Sequence, residues 1–239
     1  MKDSTYKNSF ALFLKRTDEK VVIRNFITDN IDINNKMAFL DIGAGDGSLS
    51  SMISKKVKST VAVEPNKDFC ESLSKKKNIK VLNETWEDVH LEGLFDFILV
   101  SHVVTYFPKT KRKKLIKKMY NVLNSGGKIL ILSIDAKKGS WRKIHDYFFK
   151  LMNRFHCPSD FELKQIMREY GAVSRSFKTR VIAKDQDEML KILGFDFYDY
   201  TEYFEKYSTD LKKFLKKHTG EGGKVTLETV HNAYIVTKK

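Results

Sequence analysis

The chain has 239 residues, and at roughly 150 residues per domain this length allows one large domain with an added lobe. Hydrophobic residues make up 41% and charged residues 31%, a composition typical of soluble globular proteins. No apolar run approaches the roughly 18 residues of a membrane span. Two cysteines, Cys70 and Cys157, exclude a disulfide framework and lack zinc-ligand spacing. We therefore expect a cytoplasmic protein with no bound metal.

The net charge of +14 raises nucleic acid or an anionic membrane as possible partners. The 44 basic residues are 36 lysines and only 8 arginines. Because the guanidinium fork of arginine is preferred for phosphate and base recognition, this excess favours a solvated lysine surface over a nucleic-acid face. The basic run Lys111–Lys118, interrupted by Leu115 and Ile116, is predicted as the solvated face of an amphipathic helix. A nucleic-acid contact stays open as the alternative.

Apolar residues within 5–31 recur at three- and four-residue spacing, which predicts N-terminal helices. From residue 38 onward, short apolar runs alternate with helical segments. The predicted strands are 38–42, 60–63, 79–82, 95–100 and 128–132, and the predicted helices are 48–55, 66–75 and 111–123. Residues 84–94 are predicted as loop with at most a short helix, and 123–127 as the turn into the fifth strand. Such alternation predicts a parallel sheet with helices on both faces.

The alternation ends after the fifth strand. Residues 137–171 are mainly helical and rich in aromatics, 174–183 form a strand, and helices continue to about residue 217. A glycine break at 220–223 precedes a last strand at 224–237. We therefore predict an α/β fold built as a single domain. Its predicted parts are an N-terminal helical cap (1–35), a core (36–135), an inserted lobe with the sixth strand (136–223) and the last strand (224–239).

A glycine-rich loop, Asp41–Gly47, follows the first strand. Alternating glycines let the backbone turn tightly and approach a ligand, and the start of the next helix offers unpaired N–H groups. A dinucleotide-binding fingerprint would need its third glycine at position 48, which is Ser48, whereas the third glycine here is Gly47. The loop therefore does not match that fingerprint. The second strand ends at Glu64 and Pro65, where a carboxylate can accept hydrogen bonds from ribose hydroxyls. Taken singly, the loop is also compatible with a tight turn and Glu64 with a solvated acid.

Three further segments complete a recognisable pattern: Asn83–Asp88 after the third strand, Phe95–His102 in the fourth, and Leu123–Gly127 before the fifth. Together with the glycine loop and Glu64, they resemble the class I S-adenosylmethionine (SAM)-dependent methyltransferases across residues 36–135. The resemblance implies a Rossmann-like, seven-stranded mixed sheet whose last two strands form an antiparallel hairpin. It also implies SAM as cofactor and S-adenosylhomocysteine (SAH) as product.

The resemblance assigns roles around the cofactor. It places the glycine loop along the methionine end of SAM and Glu64 at the ribose. Thr85 stands where many members have an aspartate toward the adenine, which leaves adenine recognition to Trp86, through its backbone or by stacking, and to Glu87. Ser101 follows the fourth strand and faces the sulfonium. The implied cofactor-binding residues are Asp41, Gly43, Ala44, Gly45, Glu64, Pro65, Thr85, Trp86, Glu87 and Ser101.

A narrower resemblance concerns the acceptor. The segment from Tyr6 to Glu19 is similar to the N-terminus of histamine N-methyltransferase, which implies that Glu19 binds the cation of the acceptor. His102, Tyr106 and the helical pair at 141 and 145 match other pocket positions of that family. The asparagine of the family's last strand aligns with Val230, and Asn232 is the nearest asparagine. The implied acceptor-binding residues are Tyr6, Phe10, Glu19, His102, Tyr106, Trp141 and His145.

Methyl transfer from a sulfonium is a direct displacement, so the protein mainly aligns the reactants and excludes water. An attacking amine must be neutral, while Glu19 can hold a second, cationic nitrogen. His102 and Tyr106 are the candidate catalytic residues, with His102 accepting a proton or orienting the nucleophile. Each of the three also has a purely structural explanation, as a surface acid, a satisfied histidine or a core tyrosine.

We therefore predict a SAM-dependent methyltransferase, monomeric or weakly dimeric, acting on a small, nitrogen-containing acceptor such as an amine or imidazole. Two alternatives remain. One is an RNA-modifying methyltransferase that uses the lysine-rich surface. Two observations count against this alternative: the sequence shows no appended RNA-binding module, and Ser101–Val104 is unlike the tetrapeptide that base-directed amino methyltransferases have after the fourth strand. The other is a non-catalytic SAM-binding or scaffold protein. A scaffold would have no need of an intact glycine loop and Glu64.

Overall fold

The computed structural model describes residues 2–155 and 160–239, with side chains from residue 6 onward. Seven strands form one sheet in the order β3-β2-β1-β4-β5-β7-β6. The strands are β1 Ala38–Ile42, β2 Ser59–Val63, β3 Lys80–Leu82, β4 Phe95–Ser101, β5 Leu123–Ile134, β6 Val173–Ala183 and β7 Val225–Thr237. Strands β1 to β5 pair in parallel, and β7 runs antiparallel to β5. The predicted α/β, seven-stranded mixed sheet is confirmed.

Ten α-helices connect or flank the strands within the described residues. They are α1 Lys2–Arg16, α2 Glu19–Asn30, α3 Ser48–Ile53, α4 Lys67–Ser74, α5 Arg112–Asn121, α6 Ser140–Leu151, α7 Asp160–Glu169, α8 Gln186–Leu193, α9 Thr201–Lys206 and α10 Ser208–Lys216. Two starts are set by side-chain caps: Asn66 accepts the N–H of Phe69 before α4, and Asp185 that of Glu188 before α8. Among the described helices, none has the length and apolar character needed to cross a membrane. Cys157 lies outside the described residues.

The predicted turn at 123–127 is wrong, because this segment already belongs to β5. Leu123 pairs with Phe95 and Lys128 with Phe97, so five residues advance in β5 while two advance in β4. Gly126 lies within this irregular segment and has φ +76°, a backbone conformation that favours glycine. The glycines therefore mark a bulge inside the strand and not its beginning.

Two compact units divide the chain. The aromatic unit comprises residues 1–22, 135–158 and 178–230, and the sheet unit comprises 23–134, 159–177 and 231–239. Strands β6 and β7 and helix α2 contribute residues to both. The sheet unit is built on fully buried strand residues such as Leu40, Phe97 and Leu130. The core of the aromatic unit contains Phe148 and Phe197, whose ring centroids lie 4.3 Å apart.

Helix α5 carries the basic run of the sequence, and its cations differ in environment. Three of its lysines are exposed, as the prediction of a solvated face requires: Lys113, Lys114 and Lys117. Arg112, in contrast, is 4% exposed and donates to the Phe107 carbonyl and to Glu162. The amine of Lys118 donates to the carbonyls of residues 86, 87 and 89. Both cations are engaged by protein acceptors and do not point freely into solvent, so the solvated-face prediction is wrong for Arg112 and Lys118.

Candidate cofactor and acceptor sites

The glycine loop between β1 and α3 depends on glycine for two different reasons. Gly43, Gly45 and Gly47 all have positive φ, between +54° and +71°. A Cβ at Gly43 would lie 2.2 Å from Val103, and one at Gly47 would lie 2.2 Å from Leu73, so packing as well as conformation demands glycine there. A Cβ at Gly45 would meet no atom within 4 Å. Open space beside that backbone is what the close approach of a ligand requires.

Glu64 lies at the carboxyl end of β2 and is 6% exposed. Its carboxylate accepts the N–H of Gly45 at 2.8 Å and the N–H of Asn66 at 2.9 Å. Its own carbonyl accepts the Cys70 thiol and the Asn83 side-chain amide, each at 3.0 Å. The carboxylate is thus held in one orientation beside the glycine loop, as a pre-organised acceptor needs to be.

Backbone hydrogen bonds attach the loop to the end of β2. The N–H groups of Gly43 and Ala44 donate to the Val63 carbonyl at 2.8 and 3.4 Å. Asp41, 3% exposed, accepts the hydroxyl of Ser50 from α3 at 2.5 Å. Strand end, loop and following helix are therefore tied together around the predicted cofactor residues. Pro65, the next residue after Glu64, is exposed.

The segment predicted to meet the adenine divides into exposed and buried residues. Thr85 and Glu87 are exposed, and they bond to Asp88 and Lys111, respectively. Trp86 is 4% exposed, and its indole donates to the Leu115 carbonyl. Stacking of Trp86 on an adenine is therefore wrong, because its ring is buried in the core of the sheet unit. A contact through its backbone stays a prediction.

His102 follows Ser101, the last residue of β4, and has a left-handed backbone at φ +61°. A non-glycine residue in this region is uncommon and costs energy, and such residues concentrate at functional sites. Its N–H donates to the Leu132 carbonyl at 3.0 Å. The imidazole is therefore held by its backbone, and its two buried ring nitrogens have no hydrogen-bond partner among the described residues.

His231 of β7 packs against His102, with 5.0 Å between ring centroids. It is fully buried and stacks on Phe177 at 4.9 Å. Burial, and secondarily the charge of His102, lowers the pKa of His231 to about 3. His231 was not predicted from the sequence, although it lies between the two positions considered in the last strand, Val230 and Asn232. The side-chain amide of Asn232 donates to Asp160.

Tyr106 ends a short 3-10 turn, Val104–Tyr106, after β4. Its side chain is 82% exposed, so it is not the core residue that was one explanation for it. Glu19 begins α2 and is half-buried, and its N–H donates to the hydroxyl of Thr17 at 3.1 Å. The catalytic role of Tyr106 and the cation-binding role of Glu19 both stay predictions.

Besides Glu19, four predicted acceptor residues lie in the aromatic unit. Tyr6 and Phe10 stack with 6.0 Å between ring centroids. Trp141 and His145, one turn apart on α6, converge on Asp196: the indole donates to its carboxylate at 3.0 Å, and Nε2 of His145 lies 3.5 Å away. Asp196 was missed in the sequence. The available signal was an acid within an aromatic stretch, Phe195-Asp196-Phe197-Tyr198.

Comparisons with known proteins agree with this architecture. A family model described as a methyltransferase domain matches residues 16–175. An uncharacterized methyltransferase of Staphylococcus carnosus is 31% identical over 141 residues, which are 55% of this chain and 68% of that protein. Among solved structures, a protein of Bacillus halodurans described as a methyltransferase, BH2331, has a TM-score of 0.64 at 13% identity, and the match covers 90% of this chain and 98% of that chain. The N-methyltransferase NodS of Bradyrhizobium japonicum, in complex with SAH, has a TM-score of 0.52 at 12% identity, covering 91% and 85%.

Two features of the sheet unit fit the cofactor SAM. The open side of Gly45 allows a ligand to approach the backbone, and the buried Glu64 carboxylate lies beside it. When bound, SAM supplies a methyl group activated by its sulfonium. The low-identity solved structures show the fold, and the family model, which spans two thirds of the chain, shows the family. The chain belongs to the class I SAM-dependent methyltransferases.

Proposed function

We propose that this methyltransferase acts on a small, nitrogen-containing acceptor, an amine or an imidazole. The observation that carries the proposal is His102 at the end of β4, whose strained backbone presents an imidazole without hydrogen-bond partners in the described chain. The neutral nitrogen of a primary or secondary amine, or of an imidazole, becomes cationic when it takes the methyl group, and the product returns to its neutral form by losing a proton. An imidazole with free nitrogens at this strand end can accept that proton or orient the lone pair of the acceptor.

His231 supports this role of His102. Because its pKa is lowered to about 3, His231 is uncharged at neutral pH. A proton accepted by His102 therefore meets a neutral ring and not a second cation. The stack of His231 on Phe177 also fixes the wall against which His102 packs. We propose His231 as a positioning residue, because it acts through His102.

We further propose that the sheet unit binds SAM and that the aromatic unit recognises the acceptor within a single methyltransferase domain. The acceptor residues proposed in the aromatic unit are Tyr6, Phe10, Glu19, Trp141 and His145. The N-terminal resemblance to histamine N-methyltransferase supports a nitrogenous acceptor. NodS is an N-methyltransferase, and at 12% identity it supports the fold alone. Tyr106 is a second proposed catalytic residue, and its exposed ring leaves the phenol accessible.

The test follows the methyl group. The protein is incubated with methyl-labelled SAM, a fractionated cell extract and a panel of small amines that includes histamine. We expect the label in the small-molecule fraction. Label recovered in RNA would contradict the proposal and favour the RNA-modifying alternative, in which the lysine-rich surface is used. Sedimentation of the same sample measures whether the protein is a monomer or a weak dimer.

A variant tests the histidine. His102→Asn keeps a residue that tolerates the left-handed backbone and removes the base. We expect kcat to fall by roughly 100-fold or more, the usual contribution of a general base, with SAM affinity retained. His90→Asn, at an exposed histidine, is the matched control. An unchanged kcat in His102→Asn would remove His102 from the chemistry.

A further inference from the structure

Asp196 is a charged residue at the edge of the aromatic core. It follows α8 and precedes the 3-10 turn Tyr198–Tyr200, and its side chain is 28% exposed. One oxygen, Oδ2, accepts the indole N–H of Trp141 and lies 3.5 Å from His145 Nε2. Trp141 is only 5% exposed. The indole thus fixes the carboxylate from the buried side, and part of the carboxylate remains accessible.

The negative charge of Asp196 is not balanced by a full positive charge nearby. Across the described ranges, His145 is the one basic side chain found within 4 Å of its carboxylate. Burial lowers the pKa of His145, more than the charge of Asp196 raises it, so the imidazole is neutral at neutral pH. Burial, and secondarily the charge of Asp196, raises the pKa of Tyr6, which indicates that the Tyr6 phenol lies near this carboxylate. The cluster is therefore electronegative.

Half-buried rings form a contact network in the aromatic unit, and Tyr6 and Trp141 link this network to the charge of Asp196. Tyr6 meets Tyr198 edge-on with 5.3 Å between centroids, and Phe10 meets Phe195 edge-on at 5.5 Å. Phe195 in turn lies 6.1 Å from Trp141. The faces of such rings attract cations, most strongly where water is partly excluded. One accessible carboxylate among aromatic rings suits a weakly hydrated organic cation better than a calcium or magnesium ion, which takes about six oxygen ligands.

We propose that Asp196, together with Tyr6, Phe10, Phe195 and Tyr198, binds an organic ammonium group. The assignment of this group to the methyl acceptor rests on the proposed function. In that case one nitrogen of the acceptor is held as a cation on Asp196, and a different, neutral nitrogen is methylated. Asp196 then takes the anchoring role that the family resemblance implies for Glu19.

Choline and histamine are the probes, and 3,3-dimethyl-1-butanol is the neutral isostere of choline. Binding is followed in ¹H–¹⁵N spectra through the two tryptophan indole signals, which Trp141→Phe assigns. Trp86 is an internal control, because its indole bonds to Leu115 in the sheet unit. The test variant is Asp196→Asn, whose amide oxygen still accepts the Trp141 N–H. The matched control is Asp199→Asn, at an exposed acid three residues further on.

We expect both cations to shift the Trp141 signal and leave the Trp86 signal in place. Asp196→Asn should weaken cation binding roughly tenfold or more, because histamine loses a hydrogen bond to a charged group and choline, which has no N–H, loses the opposite charge beside its ammonium. Asp199→Asn should bind as the wild type does. Equal binding by Asp196→Asn, equal binding of the neutral alcohol, or no shift of Trp141 with either cation would each overturn the site.

Methyl transfer separates this proposal from the proposed function. If the wild type binds the cations and labels no small molecule, the site stands and the amine-acceptor function fails. If label reaches a small amine with the same KM in the wild type and in Asp196→Asn, the function stands and Asp196 is not the anchor. Glu19→Gln is measured beside it, and a rise in acceptor KM confined to that variant would assign the anchor to Glu19.

Discussion

Replacement of Glu64 by glutamine tests whether its carboxylate binds the cofactor or only braces the glycine loop. In the free protein the two oxygens accept two N–H groups, from Gly45 and Asn66. Glutamine keeps one acceptor oxygen and turns an NH₂ group toward the other N–H. Hydrogen bonds to charged groups contribute about 1.5–3 kcal/mol each, so we expect a loss of this size in the free energy of unfolding. At about 2–4 °C per kcal/mol, Tm should fall by roughly 3–12 °C.

Cofactor affinity is the informative measurement on the same variant. If the ribose hydroxyls donate to this carboxylate, loss of its charge should weaken SAM binding by a further 10- to 100-fold, since about 1.4 kcal/mol corresponds to a factor of ten. Calorimetric titration with SAM and with SAH gives both dissociation constants, at a temperature where the variant is folded. Glu71→Gln, at an exposed acid on α4, is the control. A lower Tm with a SAM dissociation constant within about twofold of the wild type would show that Glu64 is a brace and would refute the ribose assignment.

Two further predictions concern packing and protonation. Gly43→Ala adds a Cβ 2.2 Å from Val103 at φ +71°, and we expect it to lower the unfolding free energy by about 2–4 kcal/mol. Gly93→Ala at φ +85°, with nothing within 4 Å, should cost only the conformational part, about 1–2 kcal/mol; equal losses in denaturant titrations would contradict the packing argument. His231 has a folded pKa lowered from 6.5 to about 3, so unfolding takes up a proton between these values. Its contribution to stability is complete above pH 6.5 and declines as the pH falls toward 3, by at most about 1.4 kcal/mol per pH unit. His231→Phe should lose this part of the slope, and parallel stability–pH curves would count against the buried neutral imidazole.

The cofactor half of the molecule is predictable because its determinants are local. Positive φ at Gly43, Gly45 and Gly47 is a property of the loop itself, and the spacing of Glu64 from the loop follows from one strand–helix–strand unit. Strands that end at one edge of a parallel sheet bring such residues together whatever the rest of the chain does. The sequence pattern therefore predicts both the fold and the position of the glycine loop.

Trp86 shows where local reasoning fails. Its place after β3 matches an adenine-contacting position, but the sequence does not say which way the ring turns. Its direction is set by α5, about thirty residues further on, which supplies the Leu115 carbonyl to the indole and the amine of Lys118 at 4.7 Å from the ring. The same helix that carries the basic run therefore holds the Trp86 ring in the core, away from the predicted ligand. The two errors have one cause.

Asp196 and His231 could not be predicted from the sequence for the same physical reason, because their partners lie even further away along the chain. Asp196 meets its indole partner across 55 residues, and His231 meets His102 across most of the chain. A pattern read from neighbouring residues cannot show that an acid in an aromatic stretch is held by one buried N–H and faces a histidine that burial keeps neutral. The carboxylate that the N-terminal resemblance identifies, Glu19, was found because a family motif surrounds it. The charge of Asp196 lies beside a neutral imidazole and near the half-buried ring of Tyr6. Comparison of Asp196→Asn with Glu19→Gln therefore asks whether the acceptor's cation follows the family motif or the electrostatics of this chain.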